Sequence, residues 1–138
     1  MCLIVVAFGA SPRHPLVIAA NRDEQHARPT APAAWWRELP HAFGGRDLAA
    51  GGTWLAVDRR GRFAAVTNIR DPGRRAAPRS RGALVAEFLG GDEPAESYAA
   101  RVTASGADYG AFNLLIYDGA SLAFASNRAP AARRGAGI

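Results

Sequence analysis

The single cysteine of the chain, Cys2, stands directly behind the initiator methionine. Removal of Met1 is expected where the second residue is small, and Cys2 would then carry a thiol and a free α-amine together. An α-amine titrates at about pH 8, so part of it is neutral under physiological conditions. Such an amine can take up the thiol proton and later return it, making one residue both nucleophile and base. The plain alternative is a small apolar residue in a buried strand, the usual fate of a lone cysteine.

Four strongly polar residues, Asn21-Arg22-Asp23-Glu24, follow the apolar run Val17-Ile18-Ala19-Ala20. An arginine near a cysteine favours the thiolate through space, which gives Arg22 a role, and Asp23 could orient the amine or the substrate. Acyl transfer also needs donors aimed at a developing oxyanion, and Asn amides serve. Asn68, ending "RFAAVTN", and Asn113, in "FNLLIY", are the candidates. Taken without context, the tetrad is also a solvated turn, and each Asn is ordinary strand-end chemistry.

Other features carry less. "GGRDLAAGGTW" has closely spaced glycines but matches neither the phosphate-binding loop nor the dinucleotide fingerprint. It reads as a tight loop admitting close backbone approach. His14, His26 and His41 lack paired ligand spacing and there is no second cysteine, so no metal site and no cofactor are expected. Arg70, Arg74, Arg75, Arg79 and Arg81 could touch phosphates. No aromatic residues interleave with them, which favours a solvated loop.

The elements that must position these residues follow from the apolar pattern. Cys2–Phe8 and Leu16–Asn21 are β-rich runs broken by Gly9-Ala10-Ser11-Pro12 and Pro15, a hairpin. Both runs are near-continuously apolar, so both faces are expected to be buried. With Phe8 opposite Leu16, counting outward puts Cys2 opposite Asn21 or Arg22, so the hairpin itself carries the tetrad back to the N-terminus. Residues 28–50 read as a long irregular loop. Thr53–Val57 and Arg62–Asn68 form a second hairpin around Asp58-Arg59-Arg60-Gly61, followed by a Pro/Gly/Arg loop over Asp71–Arg81.

Ser80 is placed to cap a helix through Leu89, with Leu84, Val85, Phe88 and Leu89 on one face. Asp92 is placed to cap a second helix over Glu93–Ala104, with Pro94 in its first turn. Ala111–Tyr117 and Ser121–Ser126 form a third hairpin around Asp118-Gly119, and Ala129–Ile138 reads as loop. Strands, then two helices, then strands, with no internal repeat, predict an α+β layered fold.

At 138 residues the chain is long enough for one domain with a real core. Its 49% hydrophobic and 21% charged content is ordinary for a soluble globular protein. Nothing reaches the length of a membrane span. No basic segment precedes the apolar start, which argues against a signal peptide. There is no lipobox, and residue 2 is not the glycine that myristoylation requires. One cysteine forms no internal disulfide, so a cytoplasmic location is the default. The net charge of +5 comes from 17 arginines without a lysine. A GC-rich coding bias explains that better than nucleic-acid binding, which would rest on charge alone.

Read together, "MCLIVVAF", "PLVIAANRDE", "ARPTAPAAWW", "GGRDLAAGGTWLAV", "GRFAAVTNIRDP", "SRGALVAEFL", "FNLLIYDG" and "SNR" resemble, in order, the NRDE family. This family is named for the tetrad and is also called the Transport and Golgi organisation protein 2 family. The resemblance implies an αββα sandwich of the N-terminal-nucleophile hydrolase type, with antiparallel sheets. It also implies similarity to choloylglycine-hydrolase-type amidases. By that similarity Cys2 is the nucleophile, Arg22 and Asp23 are the following Arg/Asp pair, and Asn68 and, more loosely, Asn113 serve the oxyanion. Asn21, Glu24 and Trp54 are the expected substrate contacts.

The implied function is hydrolysis of a non-peptide amide in a small-molecule substrate. The alternative is a binding or trafficking protein for haem or an acyl-CoA-type ligand, without turnover. Family members are longer, continuing past "GAGI" into a "GLSN"-like segment. Residues 1–138 are therefore expected to be a single family domain lacking a C-terminal part. Its open sheet edges would invite instability or association into a homo-oligomer.

Overall fold

The computed structural model describes residues 2–70 and 77–128, together with the backbone of 132–134. Among the described residues are nine strands in two antiparallel sheets, two α-helices and a short 3₁₀ turn, an α+β fold. Strands β1 (Leu3–Ser11) and β2 (His14–Asn21) form a two-stranded sheet. The other seven form one sheet in sequence order: β3 (Thr30–Trp35), β4 (Ala42–Asp47), β5 (Leu55–Asp58), β6 (Phe63–Asn68), β7 (Phe112–Tyr117), β8 (Leu122–Ser126) and β9 (Ala132–Arg134).

Alternation along the central strands divides the core in two, because successive side chains point to opposite faces. On one face Ala56, Ala64, Val66, Phe112, Leu114, Ile116, Ala123 and Ala125 meet helices α1 (Gly82–Gly90) and α2 (Ala95–Ala104). On the other, Phe63, Ala65, Tyr117 and Leu122 meet Ile4, Val6, Phe8, Leu16 and Ile18 of the hairpin. The layers run helices, large sheet, small sheet.

The hairpin register matches expectation: Phe8 lies opposite Leu16 and Leu3 opposite Asn21. Burial of both its faces is corrected. Ile4, Val6, Leu16 and Ile18 point inward, while Leu3, Val5 and Val17 are exposed, because no further layer among the described residues covers the outer face. The open loop expected over 28–50 is also corrected, since β3 and β4 occupy it. Their Ala, Pro and Gly content gives little strand propensity. They are strands because β4 completes the ladder started by β5. Of the terminal loop, 132–134 forms strand β9 against β8. The rest of the expected loops at 71–81 and 129–138 falls partly on residues 71–76, 129–131 and 135–138, outside the described ones.

Helix α1 buries Leu84, Val85, Phe88 and Leu89, the expected face. Neither expected cap operates. Arg81 occupies the N-cap of α1, with no side-chain bond, and Ser80 contributes only its carbonyl, to Ala83 N–H. At the far end of α1 the cations come from the β5–β6 hairpin. Arg60 donates to the Leu89 carbonyl at 2.6 Å, and Arg62 to the Gly91 and Glu93 carbonyls. Cations there complement the negative end of the helix. Asp92 pairs with Arg60 instead of capping α2.

The N-terminus of α2 is satisfied from the β7–β8 turn. Asp118 accepts from Ala95 N–H at 2.8 Å, and from Ala120 and Ser121 N–H within its own turn. Burial pushes the Asp118 carboxyl up, but these three donors outweigh it and hold it below the ordinary carboxylate value. Asp118→Ala should therefore cost about 2 kcal/mol at pH 7. The contribution is complete above the unfolded value near 3.8 and is lost as pH falls through the lower folded value. Urea unfolding of the two proteins should show midpoints that converge below about pH 4. A gap that persists at pH 2 would mean the aspartate acts other than as a carboxylate.

Candidate functional site

Beyond its last paired residues, Leu3 and Asn21, the hairpin brings Cys2 alongside the tetrad. The Asp23 N–H points at Cys2 Sγ at 3.3 Å, and the thiol lies 3.9 Å from the Asp23 carbonyl oxygen. The sulfur thus lies against the Asp23 backbone on both its N–H and its carbonyl side. Asn21 takes a structural part: its Oδ1 accepts from Leu3 N–H at 3.0 Å, tying down the start of β1.

Cys2 opens into a cavity of about 390 Å³ between the two sheets and the start of α1. The hairpin side supplies Cys2, Arg22, Asp23 and Glu24. The large sheet supplies Arg28, Arg46, Asp47, Thr53, Trp54 and Asn68, and the approach to α1 supplies Ser80, Arg81 and Gly82. Six of the eight expected residues therefore line one cavity. Asn21 and Asn113 are not among its lining residues. Asn113 sits within β7, opposite Thr67 and Ser126.

The wall was partly hidden from sequence. Arg28 forks onto Asp47 Oδ2 through Nη2 at 2.7 Å and Nε at 3.1 Å. That hydrogen bond, stronger than the opposing effect of burial, holds the Arg28 guanidinium above its ordinary value. Burial raises the Asp47 carboxyl, but Arg28 and the Ala49 and Ala50 N–H groups bring it below the carboxylate norm. Arg46 pairs with Glu38 and lies over the Trp36 ring. Arg79 and Arg81, read as a solvated loop, are both engaged. Arg79 pairs with Glu87 and stacks on Tyr109, and Arg81 bonds the Ala111 carbonyl at the cavity. Arg74 and Arg75 lie outside the described residues. The one usable sequence signal is that "ARPT" and "GGRD" set charged residues, Arg28 in the first and Arg46 and Asp47 in the second, among small ones.

The glycine loop makes the close approach expected of it. Gly51 and Gly52 adopt left-handed backbone, φ +71° and +72°, and Thr53 N–H donates to the Gly82 carbonyl at 3.3 Å. This docks the loop onto the start of α1 and closes the cavity floor. A second, apolar groove of about 640 Å³ runs between β2 and β5, and Trp54 lines both spaces. Among the described residues no cluster of three or more His, Cys, Asp or Glu could hold a metal ion. No helix among them is long and apolar enough to cross a membrane.

The family model described as Transport and Golgi organisation 2 matches residues 1–136. The chain belongs to the Transport and Golgi organisation 2 family. It is 39% identical over 125 residues to the Bos taurus Transport and Golgi organization protein 2 homolog, and 38% identical over 125 residues to that of Homo sapiens. Each of those alignments covers 86% of this chain and 45% of the relative. The Drosophila melanogaster Transport and Golgi organization protein 2 is 33% identical over 127 residues, or 83% of this chain and 45% of its own. The chain thus spans about half the length of these family relatives.

Proposed function

We propose that this member of the Transport and Golgi organisation 2 family is an N-terminal-cysteine hydrolase that cleaves a non-peptide amide, on a sandwich of the N-terminal-nucleophile type. The observation that carries the reading is the Cys2 sulfur held against the Asp23 N–H at the wall of a polar cavity lined by Arg22 and Asn68. A buried strand cysteine needs no such surroundings. Once Met1 is removed, the α-amine of Cys2 accepts the thiol proton and Sγ attacks the amide carbonyl. Asn68 and Arg22 face the developing oxyanion, and the amine of the substrate leaves with the proton. Water then cleaves the thioester, releasing the acid and restoring the thiol.

The intact mass and the rate of iodoacetamide labelling test this directly. Loss of Met1, with faster labelling of the folded protein at pH 7 than of the urea-unfolded chain, is the expected result. Retained Met1, or a thiol that labels only on unfolding, would end the hydrolase reading. The second reading, a carrier for an amphipathic ligand such as haem or an acyl-CoA, is favoured by the apolar groove that meets the cavity at Trp54. It would show as saturable binding to a protein that hydrolyses nothing.

A further inference from the structure

We infer that Asp47 is a positioning residue for Arg22, and that it acts by holding Arg28 away from Glu24. The inference rests on the reading of Cys2 and Arg22 as the working pair. Four side chains of alternating charge run along the cavity wall. Asp47 Oδ2 takes the Arg28 fork at 2.7 and 3.1 Å. Arg28 Nε lies 3.9 Å from Glu24 Oε2, and the same Glu24 oxygen accepts from Arg22 Nη2 at 3.4 Å.

Glu24 therefore stands between two guanidinium groups that reach for one oxygen. Arg28 is at the limit of ion-pair distance because both of its bonding nitrogens are committed to Asp47. Arg22 takes the nearer place, on the segment that the hairpin sets beside Cys2. Charge-assisted, forked contacts are the strong ones, so Asp47 wins Arg28. Three N–H and guanidinium partners keep the Asp47 carboxylate in place: the Ala49 and Ala50 N–H groups bind Oδ1, and Arg28 binds Oδ2. Without Asp47, Arg28 is released onto Glu24, and Arg22 loses the anion that holds it in the cavity. Glu24 on this account is no substrate contact. It is the anchor of Arg22, and its occupancy is decided on the other sheet.

The test compares alkylation of Cys2 by anionic iodoacetate with alkylation by neutral iodoacetamide, and it needs no substrate. Arg22 lines the same cavity as Cys2, and a guanidinium there favours the anion, so a change in the ratio of the two rates reports a change in the placement of Arg22. Arg22→Gln should lower the ratio more than loss of any other arginine of the cavity, Arg28, Arg46 or Arg81. Asp47→Asn should lower it about threefold, the scale of a partly exposed ion pair, at low salt where such pairs are least screened. The Asp47→Asn/Arg28→Met double variant should restore it, since the competitor for Glu24 is gone.

A merely structural Asp47 predicts a double variant at least as impaired as the single one, and that result would overturn the inference. So would an Asp47→Asn ratio equal to that of the unaltered protein. Should Asp47→Asn fail to fold, Arg28→Met decides. Loss of a cavity cation lowers the ratio by itself, so Arg46→Met is the control: Arg28→Met should give a ratio above that of Arg46→Met, and a ratio at or below it would refute the competition. Failure of amide hydrolysis in the unaltered protein, with these ratios as expected, would remove the hydrolase reading and leave the positioning intact.

Discussion

Cys2→Ala is expected to lower amide turnover by at least about 10⁴-fold, the scale seen when a covalent nucleophile is removed. The fold should survive, because Cys2 lies outside both core clusters and, among the described residues, its sulfur hydrogen-bonds to the Asp23 backbone. Unfolding midpoints within about 0.5 kcal/mol of the parent would confirm that the loss is chemical. Cys2→Ser should fail nearly as badly, because the backbone donor and the α-amine are matched to a thiol and a hydroxyl gives up its proton far less readily. Turnover retained within tenfold in Cys2→Ala would place the chemistry elsewhere. Binding of an amphipathic anion that is indifferent to this substitution, with no hydrolysis in either protein, would favour the carrier reading.

Gly52→Ala should be the most damaging single-methyl addition in the molecule. Its left-handed backbone alone costs an alanine about 1 kcal/mol. The new Cβ would also fall inside contact distance of the Gly82 carbonyl, which is backbone and has no rotamer to yield. Gly82 in turn is confined, with Thr53 N at 3.0 Å from where its own Cβ would stand. Together these should cost about 3–4 kcal/mol. Gly51→Ala is the internal control. It has the same backbone hand, φ +71°, but nothing within 4 Å, so only the conformational part, about 1 kcal/mol, should appear. Urea midpoints of the two variants separate these contributions. Equal losses would mean that the loop does not bear on α1.

The hairpins were legible because short turns between β-rich runs fix their own register. Phe8 opposite Leu16 needs no tertiary information, and with it came the meeting of Cys2 and the tetrad. Helix α1 was legible from the spacing of Leu84, Val85, Phe88 and Leu89. Strands β3 and β4 were not, since "TAPAAW" and "AFGGRD" hold little that favours extended chain, and their state is imposed by β5. The caps were misassigned for a related reason. Sequence points to caps next to their helices, whereas Asp118 and Arg60 reach theirs from distant turns. Arg28 and Asp47 carry little sign of a site in the sequence, because both lie in the Pro- and Gly-containing stretch 28–50 that predicts loop. Asn127, in "SNR", carries no sequence signal for its role. It proves to be a latch, accepting from Phe112 N–H while donating to the Gly106, Tyr109 and Gly110 carbonyls.

Cys2 and the tetrad sit at the end of a two-stranded sheet, and most of the remaining cavity wall belongs to the seven-stranded sheet and the loops that flank its strands. The first half is assembled by contacts close in sequence and can form within microseconds of hairpin closure. The second waits for the long-range ladders that order β3 to β8. Cys2 therefore meets Asn68 and Arg28 only when Ile4, Val6, Phe8, Leu16 and Ile18 have settled onto Phe63, Ala65 and Tyr117. Placement of this cysteine in a finished cavity becomes a late event in folding, gated by the joining of two sheets. A chain that is still assembling would hold its thiol and its tetrad side by side without a pocket in which to use them.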